Sequence, residues 1–537
     1  MKHLFLLCAF CIFLFQAHAQ SADTLNRIDE IFSRWNNATP GGSVLVSKGD
    51  KIIYHKAFGL ADLEHNAPNT TETIFEAGSV SKQFTAASIL LLATEGKLST
   101  QDDVRKYIPE LPTYDAPILI QHLLNHTSGL KDWGSIGSLT GWPRTTRVYT
   151  QELALEIICK QKSLNFTPGT EYSYSNSNYS LLVTITERVS GMSLAEFTRT
   201  RFFEPLGMTH TQWRDNFREI IPNRAVAYSK TISGYEQMMP FENIHGHGGL
   251  LTTTGDMMKW NALLETHSIG GDKLYALRTQ QGRLKNGKQI IYAGGLNIST
   301  FNNSAEISHS GATAGYRAWL AYYPDKKITI ALLSNDSDGN VVGAGRKIAE
   351  ILLGKPAMNT SKPETISVSE SDLKKFTGTY RSLRNFEVVT LSYKDNKLSW
   401  NDRELLPTHH DTVYWNGLKL AHLKSGKILI KNSQDTVSYQ KVSAMDTTIR
   451  YAQTLAGVYL SKEADTQFTL TVKTNQVWLN RKPNTSYKLE PLCYDGYRGE
   501  EFELLEFKRD RKGNVTGFEI SVSRAERLPF TKVPVTK

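Results

Sequence analysis

One short pattern occurs twice in this chain, 79 residues apart. Phe376-Thr377-Gly378-Thr379-Tyr380 returns as Leu455-Ala456-Gly457-Val458-Tyr459. Thr390-Leu391 returns as Thr469-Leu470, and Asn396-Lys397-Leu398 as Asn475-Gln476-Val477, at the same offset and without a gap. Matches at one offset describe two copies of one unit. Short alternating apolar segments between turns make that unit all-β. A small β unit must deal with its strand edges, and closure into a barrel removes them. Two small barrels are therefore expected, over 371–445 and 446–537.

The texture before residue 355 is different. Gly41 to Val46 and Lys51 to Gly59 read as two strands around a Lys48-Gly49-Asp50 turn. Helical periodicity follows over 79–92, 150–161, 176–190, 193–203 and 254–266. Strand pattern returns at 316–334, around Pro324-Asp325-Lys326-Lys327. The order strand pair, helices, strand pair predicts one antiparallel sheet with helices on its faces, an α/β domain over 20–355. Gly354 to Glu370 has little apolar pattern and holds Pro356 and Pro363, so 356–370 reads as a linker. A chain of 537 residues is too long for one core, and two to four domains are expected.

The first 19 residues read as a leader and not as part of the fold. Lys2 precedes an apolar run, Leu4 to Phe15, and Ala17-His18-Ala19 is a cleavage signal. The alternative, an uncleaved anchor, is opposed by the shortness of the run. A periplasmic or secreted product without an integral membrane span is expected. Beyond the leader only Cys159 and Cys493 remain, in different domains, which favours two buried free thiols over a disulfide scaffold. Of the net charge of +9, +7 falls in 356–537, with 28 Lys+Arg against 21 Asp+Glu. That surface is either ordinary solvated surface or a face for an anionic cell-envelope polymer or membrane surface. It has no basic run interleaved with aromatics, so nucleic acid is not expected.

Chemistry points to Ser79-Val80-Ser81-Lys82. A serine and a lysine three apart at a helix start place hydroxyl and amine on one face. That is what a serine nucleophile with a nearby proton acceptor needs. Ser-x-x-Lys also begins at Ser128, Ser371 and Ser438, so spacing alone does not choose. Gly78 allows a sharp entry into the helix, and Ser79 would keep an unpaired backbone N–H for an oxyanion. Tyr174-Ser175-Asn176 lies between Phe166-Thr167-Pro168-Gly169 and an apolar helix, where Tyr174 and Asn176 can point into a cleft. A tyrosine near a lysine ammonium can act as a base. His309-Ser310-Gly311-Ala312 heads a strand at a sheet edge, where the Ala312 N–H would be a second oxyanion donor and His309 would face the substrate. A histidine there titrates near neutrality. Tyr414-Trp415-Asn416 and His247-Gly248-Gly249 are rival matches to these two patterns. His122 and His126 are four apart, but no glutamate follows His122, and no metal or cofactor is expected. There is no Gly-x-Ser-x-Gly elbow and no phosphate-binding glycine loop.

Together these elements resemble the motif set of the penicillin-binding, class C-type serine β-lactamase superfamily. Supporting stretches are Gly59-Leu60-Ala61-Asp62, Leu123-Leu124-Asn125-His126-Thr127-Ser128-Gly129-Leu130, Pro205-Leu206-Gly207-Met208, Gly248-Gly249-Leu250-Leu251-Thr252-Thr253 and Pro324-Asp325-Lys326-Lys327. The resemblance spans roughly 25–350. It implies an acyl-enzyme serine hydrolase with Ser79 as nucleophile, Lys82 as its partner and Tyr174 as general base and acid. Asn176, His309, Ser310 and Gly311 would contact substrate, with Ser79 and Ala312 forming the oxyanion hole. His309 stands where β-lactamases usually carry lysine, which points away from a dedicated β-lactamase. One catalytic domain followed by two barrels looks most like the D-aminopeptidases of the superfamily. D-amino-acid peptides, small esters and β-lactams are the candidate substrates. A non-catalytic envelope protein, binding muropeptide in the cleft and polymer on the barrels, is the alternative. Whether Lys82 or Tyr174 is the neutral partner at rest stays open.

Overall fold

The computed structural model describes residues 23–141, 147–354, 364–384, 387–431, 436–443, 449–474 and 476–534. The expected leader and the first half of the expected linker lie outside these residues. The chain forms two compact units. One comprises Met1–Leu130 with Pro143–Ala357, the other Lys131–Trp142 with Met358–Lys537.

The first unit is built on a six-stranded antiparallel sheet. Its strands are β1 (Gly42–Lys48), β2 (Lys51–Phe58), β3 (Asn297–Phe301), β4 (Ser304–Thr313), β5 (Tyr316–Tyr323) and β6 (Ile328–Ser334). Their spatial order is β3-β4-β5-β6-β1-β2. The N-terminal hairpin thus joins the C-terminal strands through β1 and β6, paired from Gly42↔Ser334 to Lys48↔Ile328. All of β6 is buried, as expected for a strand covered on both faces. On one face Val44, Val46, Trp319, Ile330 and Leu332 pack against the helix at 23–31 and against Val341–Leu353. Each such side chain removed from water is worth about 1.5–3 kcal/mol. The opposite face is met by α3 (Thr254–Thr266), after α1 (Lys82–Thr94) and α2 (Asn176–Ser190) in the chain. The expected helix over 193–203 is an α-helix, Leu194–Thr198, continued by a π-turn, Arg199–Phe203.

The edge strand β3 stops short. It pairs with β4 only from Asn297↔Ser308 to Phe301↔Ser304. Beyond Ser308 that margin of β4 is given to the turn Gly78–Ser81 that precedes α1. The sheet therefore opens where the motif His309-Ser310-Gly311-Ala312 lies.

The second unit holds two nearly closed, all-antiparallel barrels of nine strands each, with identical strand order. The 79-residue offset is a register. Gly378↔Leu391 and Tyr380↔Val389 correspond to Gly457↔Leu470 and Tyr459↔Phe468. Leu391↔Trp400 likewise corresponds to Leu470↔Leu479. The drift comes later, since Tyr380 pairs with Lys441 but Tyr459 with Lys532. In each barrel that lysine's ammonium lies over the tyrosine ring, 5.9 Å and 5.6 Å from the centroid.

The second barrel also receives Lys131–Trp142, a piece of chain from the middle of the first unit. It contains a short helix, Trp133–Leu139, capped by Asp132, whose carboxylate accepts the Ser135 N–H. Asp132 N donates to Arg524 O, and Arg481 Nη1 to Ser138 O at 2.7 Å. Trp133, Ile136 and Leu139 are buried. Nothing in the sequence periodicity announces this excursion. Cys159 is half-buried and Cys493 buried, and both thiols are free. Among the described residues no helix is long and apolar enough to cross a membrane.

Candidate active site

Ser79 sits in the turn before α1 and is partly exposed, while Lys82 opens that helix and is fully buried. Lys82 Nζ lies 3.2 Å from Ser79 Oγ, 2.9 Å from Asn176 Oδ1 and 2.6 Å from the His247 carbonyl. The three acceptors converge on the three N–H donors of an ammonium. The same nitrogen is 4.8 Å from the centroid of the Tyr174 ring and 5.5 Å from that of Tyr179. Ser79, Lys82, Tyr174 and Asn176, expected from two distant motifs, are thus gathered around one atom.

The third motif joins through the backbone. Gly78 has φ +50°, and a Cβ there would stand 2.7 Å from Ala312 N. A Cβ on Gly311 would stand 2.0 Å from Ala77 O and 3.0 Å from Ser79 N. Side chains at either position would drive the turn and β4 apart, so both glycines serve close approach. The approach brings the N–H groups of Ser79 and Ala312 to the same margin. The first N–H groups of a helical turn have no partner within the turn. Ser310 and Ala312 are exposed at this margin.

His309 differs from expectation. It is buried, 4% exposed, and its ring is spent on two hydrogen bonds. Nδ1 lies 2.6 Å from the Ser310 carbonyl, so it carries the proton, and Nε2 accepts from Tyr292 Oη at 2.9 Å. Burial, then the positive charge of Lys82, pushes its pKa down to about 4. His309 is therefore neutral throughout the physiological range and does not titrate near neutrality. Sequence spacing suggests a His309 that faces the substrate and titrates near neutrality; it does not announce Tyr292, whose hydroxyl takes up Nε2.

The rival motifs have other occupations. Ser128 Oγ donates to Asn178 Oδ1 at 2.6 Å, in the first unit, whereas Lys131 belongs to the second. Ser371 and Ser438 lie in the second unit, as does Tyr414. His247 contributes its carbonyl to Lys82. His122 Nδ1 accepts the Leu119 N–H, and His126 is enclosed by Tyr174, Tyr179 and Tyr292.

Beneath the site is a charge network that sequence reasoning missed. The fully buried Glu76 receives Arg214 Nε at 2.9 Å and Nη2 at 3.2 Å, and the Gly249 N–H at 3.1 Å. Arg214 N in turn donates to Gly249 O. This clamp fixes the loop whose His247 carbonyl holds Lys82. A buried charge pair broken by removing one partner costs about 3–5 kcal/mol. Glu76 stands three residues before Ser79, but no pattern ties it to Arg214.

Comparison with known proteins gives the family and the fold. The Beta-lactamase family model matches residues 22–355. Penicillin-binding protein 4* of Bacillus subtilis (strain 168) is 33% identical over 336 residues, covering 59% of this chain and 73% of that protein. The D-aminopeptidase of Brucella anthropi is 29% identical over 330 residues, 59% of this chain and 60% of its own length. The match thus spans about three fifths of that D-aminopeptidase. Among solved structures, the octameric penicillin-binding protein homologue from Pyrococcus abyssi shares the fold with TM-score 0.53 at 24% identity, covering 87% of this chain and 99% of that one. The D-amino acid amidase from Ochrobactrum anthropi SV3, complexed with L-phenylalanine amide, gives 0.52 at 21% identity, over 62% and 98%. With the family model matching more than half of its length, the chain belongs to the beta-lactamase family of serine hydrolases.

Proposed function

We propose that the protein is an exported hydrolase of small amides or esters that works through an acyl-enzyme on Ser79. The observation that carries this reading is the Lys82 ammonium, 3.2 Å from Ser79 Oγ and held there by Asn176 and the His247 carbonyl. With all three N–H groups of Lys82 engaged, Tyr174 acts as a phenolate beside the ammonium and takes the proton of Ser79. Oγ bonds to the substrate carbonyl carbon, and the carbonyl oxygen becomes an oxyanion held by the Ser79 and Ala312 N–H groups. The proton on Tyr174 then passes to the leaving nitrogen or oxygen as its bond to carbon breaks. Water, deprotonated by Tyr174, attacks the acyl carbon, and Tyr174 returns that proton to Ser79 Oγ as its bond to the acyl carbon breaks and the acid is released. The substrate class follows from two supports. The D-aminopeptidase relatives suggest D-amino-acid amides and peptides. A neutral His309 offers no cation for a substrate carboxylate, which favours amides and esters over carboxylate-bearing β-lactams. Labelling with a fluorophosphonate, followed by mass spectrometry of the modified peptide, tests the assignment. Label on the peptide containing Ser79 is expected; label elsewhere, or none in a folded protein, refutes it.

A further inference from the structure

We infer that His126 is the positioning residue of Tyr174, holding it from both sides and tying it to His309. This rests on the proposed role of Tyr174 in proton transfer. The two residues that flank Tyr174 both bond to His126. Ser173 N donates to the His126 carbonyl at 3.0 Å, and Ser175 N donates to His126 Nδ1 at 3.2 Å. Asn178 Nδ2 lies 3.0 Å from the same ring nitrogen. A backbone N–H can only donate, so Nδ1 is the acceptor and the neutral ring carries its proton on Nε2. The imidazole also packs on Tyr174 itself, with centroids 4.2 Å apart and planes at 35°. A further neighbour is Tyr292, at 4.6 Å and edge-on, whose hydroxyl donates to His309 Nε2. One buried ring therefore joins the loop carrying Tyr174 to the group beneath the third motif.

The backbone supports a demanding placement. His126 has φ +56°, a conformation that costs a residue with a Cβ about 1–2 kcal/mol and persists only where its surroundings impose it. Here the imposed conformation turns Nδ1 toward Ser175 while leaving the carbonyl for Ser173. A phenol that must exchange a proton with Ser79 tolerates little displacement, since an error of 1 Å can cost about a hundredfold.

Two amides separate this role from plain packing. The oxygen of asparagine occupies the place of Nδ1, and asparagine tolerates positive φ. The oxygen of glutamine reaches to the place of Nε2 instead. With p-nitrophenyl acetate as reporter, His126→Asn is expected to keep kcat within about fivefold, and His126→Gln to lose about a hundredfold in kcat with KM little changed. In a Tyr174→Phe background His126→Gln should cost nothing further, because the two act on one step. Wild-type kcat in His126→Gln, or a full second loss in the Tyr174→Phe background, would overturn the inference. If Tyr174→Phe alone keeps wild-type kcat, the proposed function is what fails, and this inference with it. Should His126→Gln not fold, Asn178→Ser removes one donor to Nδ1 and leaves His126 in place. A tenfold fall in kcat at constant KM, of the order expected for partial misplacement, supports the inference, and unchanged kcat overturns it.

Discussion

The two units bury polar groups for different ends. In the first, Glu76, Lys82, Asn176, Arg214 and His309 are all at most 6% exposed and lie at or beneath one cleft. Their costs of desolvation are offset by the hydrogen bonds each makes, Glu76 with Arg214, Lys82 with Asn176 and the His247 carbonyl, His309 with Tyr292 and the Ser310 carbonyl. In the second, the barrel interiors are apolar, and strands such as Gln476–Arg481 alternate buried Val477 and Leu479 with more exposed neighbours. Ion pairs such as Lys397–Glu404 and Arg498–Glu490 stand on the surface. Some charge is buried there as well: the excursion Lys131–Trp142 brings a buried lysine, and Asp495 is buried against Arg509 and Tyr451. Changes in the first unit should therefore strike chemistry, and changes in the second stability.

The largest expected effect tests the first half of that contrast. Ser79→Ala should lose about 10⁴–10⁶ in kcat, the range for a lost nucleophile, while the melting transition stays near wild type. Fluorophosphonate labelling that survives in this variant would break the contrast at its root.

Next come Lys82→Ala and Tyr174→Phe. Each should lower kcat by about 10³ or more, and the double variant should be little worse than the worse single one. Residues passing one proton fail together. Additive losses in log kcat would mean that the Lys82 ammonium and the Tyr174 ring, 4.8 Å apart, serve separate steps.

Trp133→Ala addresses the second unit. Its indole is fully buried in the excursion helix, so removal should cost about 3–5 kcal/mol of stability. Urea unfolding followed by circular dichroism measures this, and a loss below 1 kcal/mol would show that the excursion is loosely held. Truncation after residue 355 is expected to leave Trp133, Ile136 and Leu139 without their cover. A truncated chain that also lacks 131–142 should be the more soluble of the two, and equal solubility would count against the excursion as part of the second unit.

How much of this was legible follows the same division. The barrels were readable because alternation has period two and the repeat preserves register, so Gly378↔Leu391 and Gly457↔Leu470 are one fact written twice. The gathering of Ser79, Lys82, Tyr174 and Asn176 around one nitrogen was expected from the motifs taken together, since the spacing of each alone has rivals. Glu76–Arg214, the ring of His126 between Tyr174 and Tyr292, and the neutrality of His309 were not legible. Each depends on a partner brought in from a remote loop, and no periodicity encodes that. The excursion escaped for a further reason: an apolar helix of seven residues looks the same whichever core it joins.

The smallest expected effects form a matched pair. His309 and Lys131 are both buried, one in each unit, and burial is the leading cause that lowers the pKa of each, to about 4 and about 8. In the unfolded chain they titrate near 6.5 and 10.4. For both, the unfolded state binds the proton more readily, so stability is complete above the unfolded value and lost as pH falls to the folded one. The windows do not overlap. His309 should make stability fall between pH 6.5 and 4 and contribute no slope above that. Lys131 should make stability rise from pH 8 to 10.5 and contribute no slope below that. His309→Gln should therefore flatten the acid side of the stability curve, and Lys131→Met the alkaline side, each leaving the other window unchanged. Urea midpoints at half-unit steps of pH measure both. A His309→Gln variant that keeps the acid slope would mean that His309 is solvated, and would restore a charge near neutrality beside the cleft. A Lys131→Met variant that keeps the alkaline slope would mean that Glu463, Glu519 and Glu526 hold the Lys131 ammonium against desolvation, so that the second unit, like the first, balances its buried charge.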